Sequence, residues 1–144
     1  MNAWSLEYSF RVDTDNQIIY AKIHGLWKAN TAQGYHDEFK IEVQPLLGKP
    51  WAKLIDLTNW RTSYPEVIAI IGKHMLWSTE NGCALSIYVL NNPSTFKQLN
   101  QMFSKGRIKE VAMTFRTLAE AERHIKEHWH GKAGESPTQP RDIC

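Results

Sequence analysis

Apolar and polar positions along the chain change their period several times, and each change marks an element. "IIYAKIHGL" alternates Ile19, Ala21 and Ile23 against Tyr20, Lys22 and His24, the period of a strand with one buried face. A shorter strand precedes it over Tyr8 to Val12. Between them, "DTDNQ" offers Asp13, Asp15 and Asn16, whose side chains tolerate left-handed turn geometry, so the pair reads as an antiparallel hairpin. "NTAQGYHDEFKIEVQPLL" then spaces Tyr35, Phe39 and Val43 along one helix face. Asn30 or Thr31 is its expected cap, and Pro45 should kink or end it near Gly48. Trp51 to Leu57 reads as the next strand. Ser63-Tyr64-Pro65-Glu66 fits a capping box that opens a helix with Tyr64, Ile68, Ile71 and Met75 on one face.

"CALSIYVLNN" is continuously apolar in its middle, as strands covered on both faces are. Asn92-Pro93 starts a helix striped by Phe96, Leu99 and Phe103. "VAMTF" supplies a last strand, and Thr117-Leu118-Ala119-Glu120 is a second capping box, before a helix bearing Leu118, Ala121 and Ile125. Residues 131–144, polar and proline-containing, read as a disordered tail. The order is β-β-α-β-α-β-α-β-α. It predicts an α/β fold on a mixed sheet, with parallel pairs joined by right-handed crossovers, in a single domain over residues 1–130.

Bulk properties narrow the function classes. A chain of 144 residues buries roughly 68–70% of its unfolded surface without staples. The net charge of +2, with no run of Lys or Arg longer than two, gives no footprint for nucleic acid or an anionic membrane. Cys83 and Cys144 do not make a disulfide framework, and Cys83 opens an apolar run where a buried, reduced thiol is expected. With no signal-like segment and no apolar run of spanning length, a cytoplasmic location is the expectation.

Enzyme motifs are lacking: no Gly-x-Ser-x-Gly elbow, no Walker loop, no dinucleotide glycine fingerprint. Asp56 with His24 or His74 is an acid–base pair only on paper, because nothing in the spacing makes them meet. The expectation is a non-enzymatic protein without cofactor. His124 and His128 lie four apart in "HIKEHWH", with Glu127 and His130 nearby. A cationic last helical turn explains them without a metal. The stronger constellation is the carboxyl edge of the predicted sheet, where helix N-termini converge and ligands of open α/β sheets bind. It would gather Trp27, Lys28, Thr58, Trp60, Arg61, Ser63, Asn91, Asn92, Arg116 and Thr117. Lys28 and Arg61 suit an anionic group and Trp27 and Trp60 an apolar body, although Ser63, Asn92 and Thr117 also serve as plain helix caps. The second helix carries Trp77 and Ile70 off its main apolar face, as a deeply buried helix or one with a partner does.

Gly25-Leu26-Trp27 after the second strand, Asp56 at a strand end, Phe115-Arg116 and Ala121 together resemble the SpoIIAA-like group of STAS domains. More closely, they are similar to a small bacterial branch grouped as STAS/SEC14-like proteins. The likeness spans roughly residues 8–130 and implies a βα superhelix. It also implies a regulatory protein-binding module, with a kinase-like protein partner or a homodimer, switched by phosphorylation of a serine ahead of the second helix. Ser63 is the nearest match and Thr62 the next, but Arg61-Thr62-Ser63-Tyr64-Pro65 has neither the glycine nor the preceding acid of the family's motif. The SEC14-like relatives imply the alternative, a carrier or sensor of a small apolar or anionic ligand at the rim.

Overall fold

A computed structural model describes residues 7–107 and 112–129; the predicted tail, His130 and Cys144 lie outside the described residues. The elements are β1 (Tyr8–Asp13), β2 (Ile18–Trp27), α1 (Ala29–Glu42), a 3-10 turn (Gln44–Leu46), β3 (Trp51–Ser63), α2 (Pro65–Glu80), β4 (Cys83–Val89), α3 (Pro93–Gly106), β5 (Ala112–Phe115) and α4 (Leu118–His128). Five strands lie in the order β1-β2-β3-β4-β5, with β1 antiparallel to β2 and every later pair parallel. This is the mixed α/β sheet expected from the chain.

Each right-handed crossover steps one strand in the same direction, so α1, α2 and α3 come to rest on one face of the sheet. The main core lies there, joining Ile19, Ala21 and Ile23 of β2 to Tyr35 and Phe39 of α1, Val67 and Met75 of α2, and Leu99 and Phe103 of α3. The alternation read in β2 is thus real. On the opposite face α4 packs Ala121 and Ile125 on Ile18, Ala52, Leu54, Ile87 and Val89. Trp129 closes that layer, its indole donating to the Asn16 carbonyl at 2.8 Å. Packing on both sides explains α2 as well. It lies between α1 and α3, and Ile70 and Trp77 are half-buried against the main core.

The α2–α3 crossing is close because glycine meets glycine. A Cβ on Gly106 would stand 2.6 Å from Met75 Cβ and 2.8 Å from the Gly72 carbonyl oxygen, and one on Gly72 would stand 2.4 Å from Lys105 Cβ.

Several local expectations are corrected. β3 does not stop at Leu57 but runs to Ser63, since β2 is long enough to hold it: Trp27 pairs with Ser63 and Gly25 with Trp60. The ladder accommodates this through two irregularities, and Gly25, at φ +73°, sits at the second, where a side chain would be strained. Ser63 is therefore a strand residue and no cap. The N-cap of α2 is Tyr64, with no side-chain cap bond. Nor do Asn30 or Thr31 cap α1: it starts after Lys28, and the Thr31 hydroxyl donates to Glu7 Oε1 at 3.1 Å. In the hairpin the left-handed residue is Gln17, while Asp13 accepts from Asn16. Tyr64, Phe96 and Leu118, assigned to apolar faces, are exposed, because each begins its helix beyond the edge of the core. Asn92 and Thr117 do cap, accepting from the backbone of Ser94 at 2.8 Å and Glu120 at 3.2 Å.

Candidate functional site

The predicted rim divides along β3. β4 ends at Val89, opposite Asp56, and β5 ends at Phe115, opposite Val89. Asn92 and Arg116, both exposed, follow those ends. β3 continues for seven residues past Asp56, about 23 Å at the usual rise per strand residue. Trp27, Trp60 and Ser63 come together at its far end, with Lys28 following Trp27 as the exposed N-cap of α1. Thr58 and Arg61 are exposed on the strand between. Thr58 is engaged by Asp56, whose Oδ1 accepts from its amide at 3.0 Å and its hydroxyl at 2.7 Å.

At the far end the two indoles and Ser63 are all hydrogen-bonded. The Trp60 indole donates to Ser63 Oγ at 2.9 Å, and the Trp27 indole to the His24 carbonyl at 2.9 Å. Gln98 of α3 then acts as a one-residue strand. Its amide donates to the Ser63 carbonyl at 2.9 Å, and its oxygen accepts from the Ser63 amide at 3.1 Å. Ser63, the serine singled out as a phosphorylation candidate, is 6% exposed. Beyond Asp56 no strand among the described residues pairs with β3 on its β4 side. Exposed Tyr64 adjoins Ser63 at that bare edge, and exposed Leu26 lies across β3 from it, in register with Thr62.

Trp27, Trp60 and Ser63 also line a cavity of about 40 Å³ between the sheet and helices α1–α3. Its walls are apolar, including Ile23, Ile55, Leu57, Ile71, Met75, Leu99 and Met102. Three polar side chains join them: Lys53 on the central strand, His74 on α2 and Tyr88 on β4. All three are almost wholly buried, at 1%, 2% and 3% exposure. The Lys53 ammonium donates to Ser78 Oγ at 3.2 Å and lies 5.5 Å from the Phe39 ring centre and 6.0 Å from that of Tyr88. No carboxylate among the described residues pairs with it. Tyr88 Oη and His74 Nε2 have no hydrogen-bond partner. Ser86, beside Tyr88 on the same face, shares its hydroxyl with the Cys83 thiol at 3.4 Å.

Burial drives the protonation states here. It lowers the Lys53 pKa to about 8, with the nearby Cys83 opposing the drop, and pushes the Tyr88 phenol up. Burial, then the charge of Lys53, holds His74 well below the usual imidazole range, so its ring is neutral near pH 7. His74 Nδ1 meets His36 Nδ1 at 2.9 Å, and one of the two must donate. Burial raises the Cys83 pKa despite Lys53, as expected of an inert thiol.

The sequence offered one clue to this cluster, a lysine inside a strand apolar on both sides. Asp56 and His74 do not meet. Lys53 and Asp56 fall on opposite faces of β3, and Asp56 opens with Leu54 into a separate groove of about 240 Å³ beside α4, with Arg11, Tyr20, Lys22 and Glu122. His124 and His128 stack at 4.3 Å on the exposed side of α4, and no group of three metal-ligating side chains occurs among the described residues.

No protein-family model matches the chain, and no curated protein matches it in sequence. Solved structures do match in fold. An uncharacterised DUF3478-family protein with a SpoIIAA-like fold, from Shewanella loihica, superposes with a TM-score of 0.60 at 10% identity, over 81% of this chain and 90% of the other. The anti-sigma factor antagonist SpoIIAA in its unphosphorylated form gives 0.54 at 10% identity, over 83% and 97%. The phosphorylated Bacillus cell fate determinant SpoIIAA gives 0.54 at 11% identity, over 82% and 98%. The order of strands, the three helices on one face and these superpositions together establish that the chain has the SpoIIAA-like fold.

Proposed function

We infer that the chain is a regulatory module that works by binding another protein, and that it docks the partner on the far end of β3. The bare β3 edge beyond Asp56 carries this reading. Between Thr58 and Ser63 no described strand pairs with it on the β4 side, which leaves room for an added strand, and exposed Tyr64 offers an apolar anchor next to Ser63. The fold supports the same class, because SpoIIAA is an anti-sigma factor antagonist. A kinase-like partner or a second copy of this chain both suit such an edge.

The test is partner capture from source-cell extract with wild-type protein, a Tyr64→Asp variant and an Ile41→Asp control on the exposed face of α1. One stoichiometric partner retained by wild type and control but lost by Tyr64→Asp supports the reading. Identical capture by all three proteins rejects the edge as the docking site. The cavity favours a second reading, a sensor of a small ligand. With about 40 Å³ it has room for roughly three waters, which suits a small molecule and not an acyl chain.

A further inference from the structure

The cavity poses a charge problem that its own side chains leave open. A lysine ammonium is sealed under α2 with one hydroxyl for a hydrogen-bond partner. Buried charges in proteins are normally paired, and buried hydroxyl and imidazole groups normally hydrogen-bonded. Here the side chains of one cation and of two residues with unpartnered polar atoms, His74 and Tyr88, line the same small and mostly apolar chamber. If His36 donates along the contact between the two imidazoles, His74 keeps its proton on Nε2 and is a donor there. The Tyr88 hydroxyl is a second donor and the Lys53 ammonium a third. Waters would satisfy the phenol and the imidazole but leave the positive charge uncompensated. A dianion would leave a negative charge uncompensated instead, since His74 is neutral. The complement is a monoanion with two acceptor oxygens and a short apolar body, to face Ile55, Ile71, Met75 and Leu99.

We propose that the cavity between the sheet and helices α1–α3 is a binding site for a short monocarboxylate, its carboxylate held by Lys53 Nζ, Tyr88 Oη and His74 Nε2. This gives the small-ligand reading a chemical class, and its three donors, Lys53, Tyr88 and His74, are not residues of the β3 edge, so partner capture and ligand binding fail separately. Trp27 and Trp60 line the chamber, and their nearly complete burial makes them its optical reporters.

The experiment titrates purified protein, dialysed against chloride, with sodium propionate at constant ionic strength. Tryptophan fluorescence and the resonance of carboxyl-labelled propionate are followed together. The site predicts a saturable change in both. Lys53→Met should remove it, and Tyr88→Phe, which keeps the ring and loses only the hydroxyl, should weaken it about tenfold, as for loss of one hydrogen bond to a charged group. Benzoate, too bulky for the chamber, should not compete. The proposal is overturned if the wild type shows no saturable response. It is equally overturned if both variants bind propionate as the wild type does, or if crystals grown in propionate hold only water beside Lys53.

Discussion

Replacing Lys53 with methionine should make the ligand-free protein more stable, and the gain should depend on pH. Burial lowers the ammonium pKa from 10.5 to about 8. At about 1.4 kcal/mol per pH unit, keeping that charge in the folded state costs about 3 kcal/mol. Methionine matches the stem of lysine in length and flexibility, so it fills the space without the charge. Ser78, which loses the ammonium, keeps its own bond to the His74 carbonyl at 3.0 Å. The sign follows from proton counting. Between about pH 8 and 10.5 the unfolded chain binds the Lys53 proton and the folded chain does not, so wild-type stability rises with pH across that window. The advantage of Lys53→Met is therefore full below about pH 8, shrinks through the window and is gone above it. Urea unfolding, followed by tryptophan fluorescence at about pH 7 and about pH 10 on both proteins, measures it, because the difference cancels titrations the two share. The expected gap is up to about 3 kcal/mol near neutrality and less than half of that at the higher pH. A variant less stable than wild type at neutral pH, or a gap unchanged by pH, would refute the reasoning that Lys53 is an uncompensated charge.

Two further outcomes test the packing. Gly106→Ala drives a methyl into the Gly72 carbonyl and Met75, backbone and Cβ atoms that cannot swing away. It should cost about 1–3 kcal/mol in urea unfolding, and a loss within error of zero would mean that α2 and α3 are further apart. Gln98→Ala leaves the Ser63 amide and carbonyl without their partner. Amide exchange at Ser63 should accelerate by about tenfold or more, with a stability loss of about 1–2 kcal/mol; unchanged exchange would place the amide in another bond.

Most of the element order was legible in the residues because its signals are local. The alternation of Ile19, Ala21 and Ile23 needs only a period of two, and the caps at Asn92 and Thr117 need only a side-chain oxygen two or three residues ahead of a free amide. The junction after Leu57 was misread for the same reason. Thr58, Asn59, Arg61 and Thr62 have turn-like polarity, and what makes them a strand is β2 alongside, which no local pattern reports. Ser63 has the sequence context of a cap but the surroundings of a buried strand end, held by an indole and a glutamine 35 residues away.

Alternation and continuous apolar runs by themselves determined an α/β chain with a hairpin and three crossovers, since burial period is written residue by residue. Only tertiary structure decided that three helices share one face and that β3 outruns β4. It also decided that Lys53 is sealed with His74 and Tyr88 around a small void. Those outcomes depend on how far neighbouring strands extend and which surfaces meet across the core. Lys53 reads the same in the sequence whether its ammonium reaches water or is closed in beneath α2.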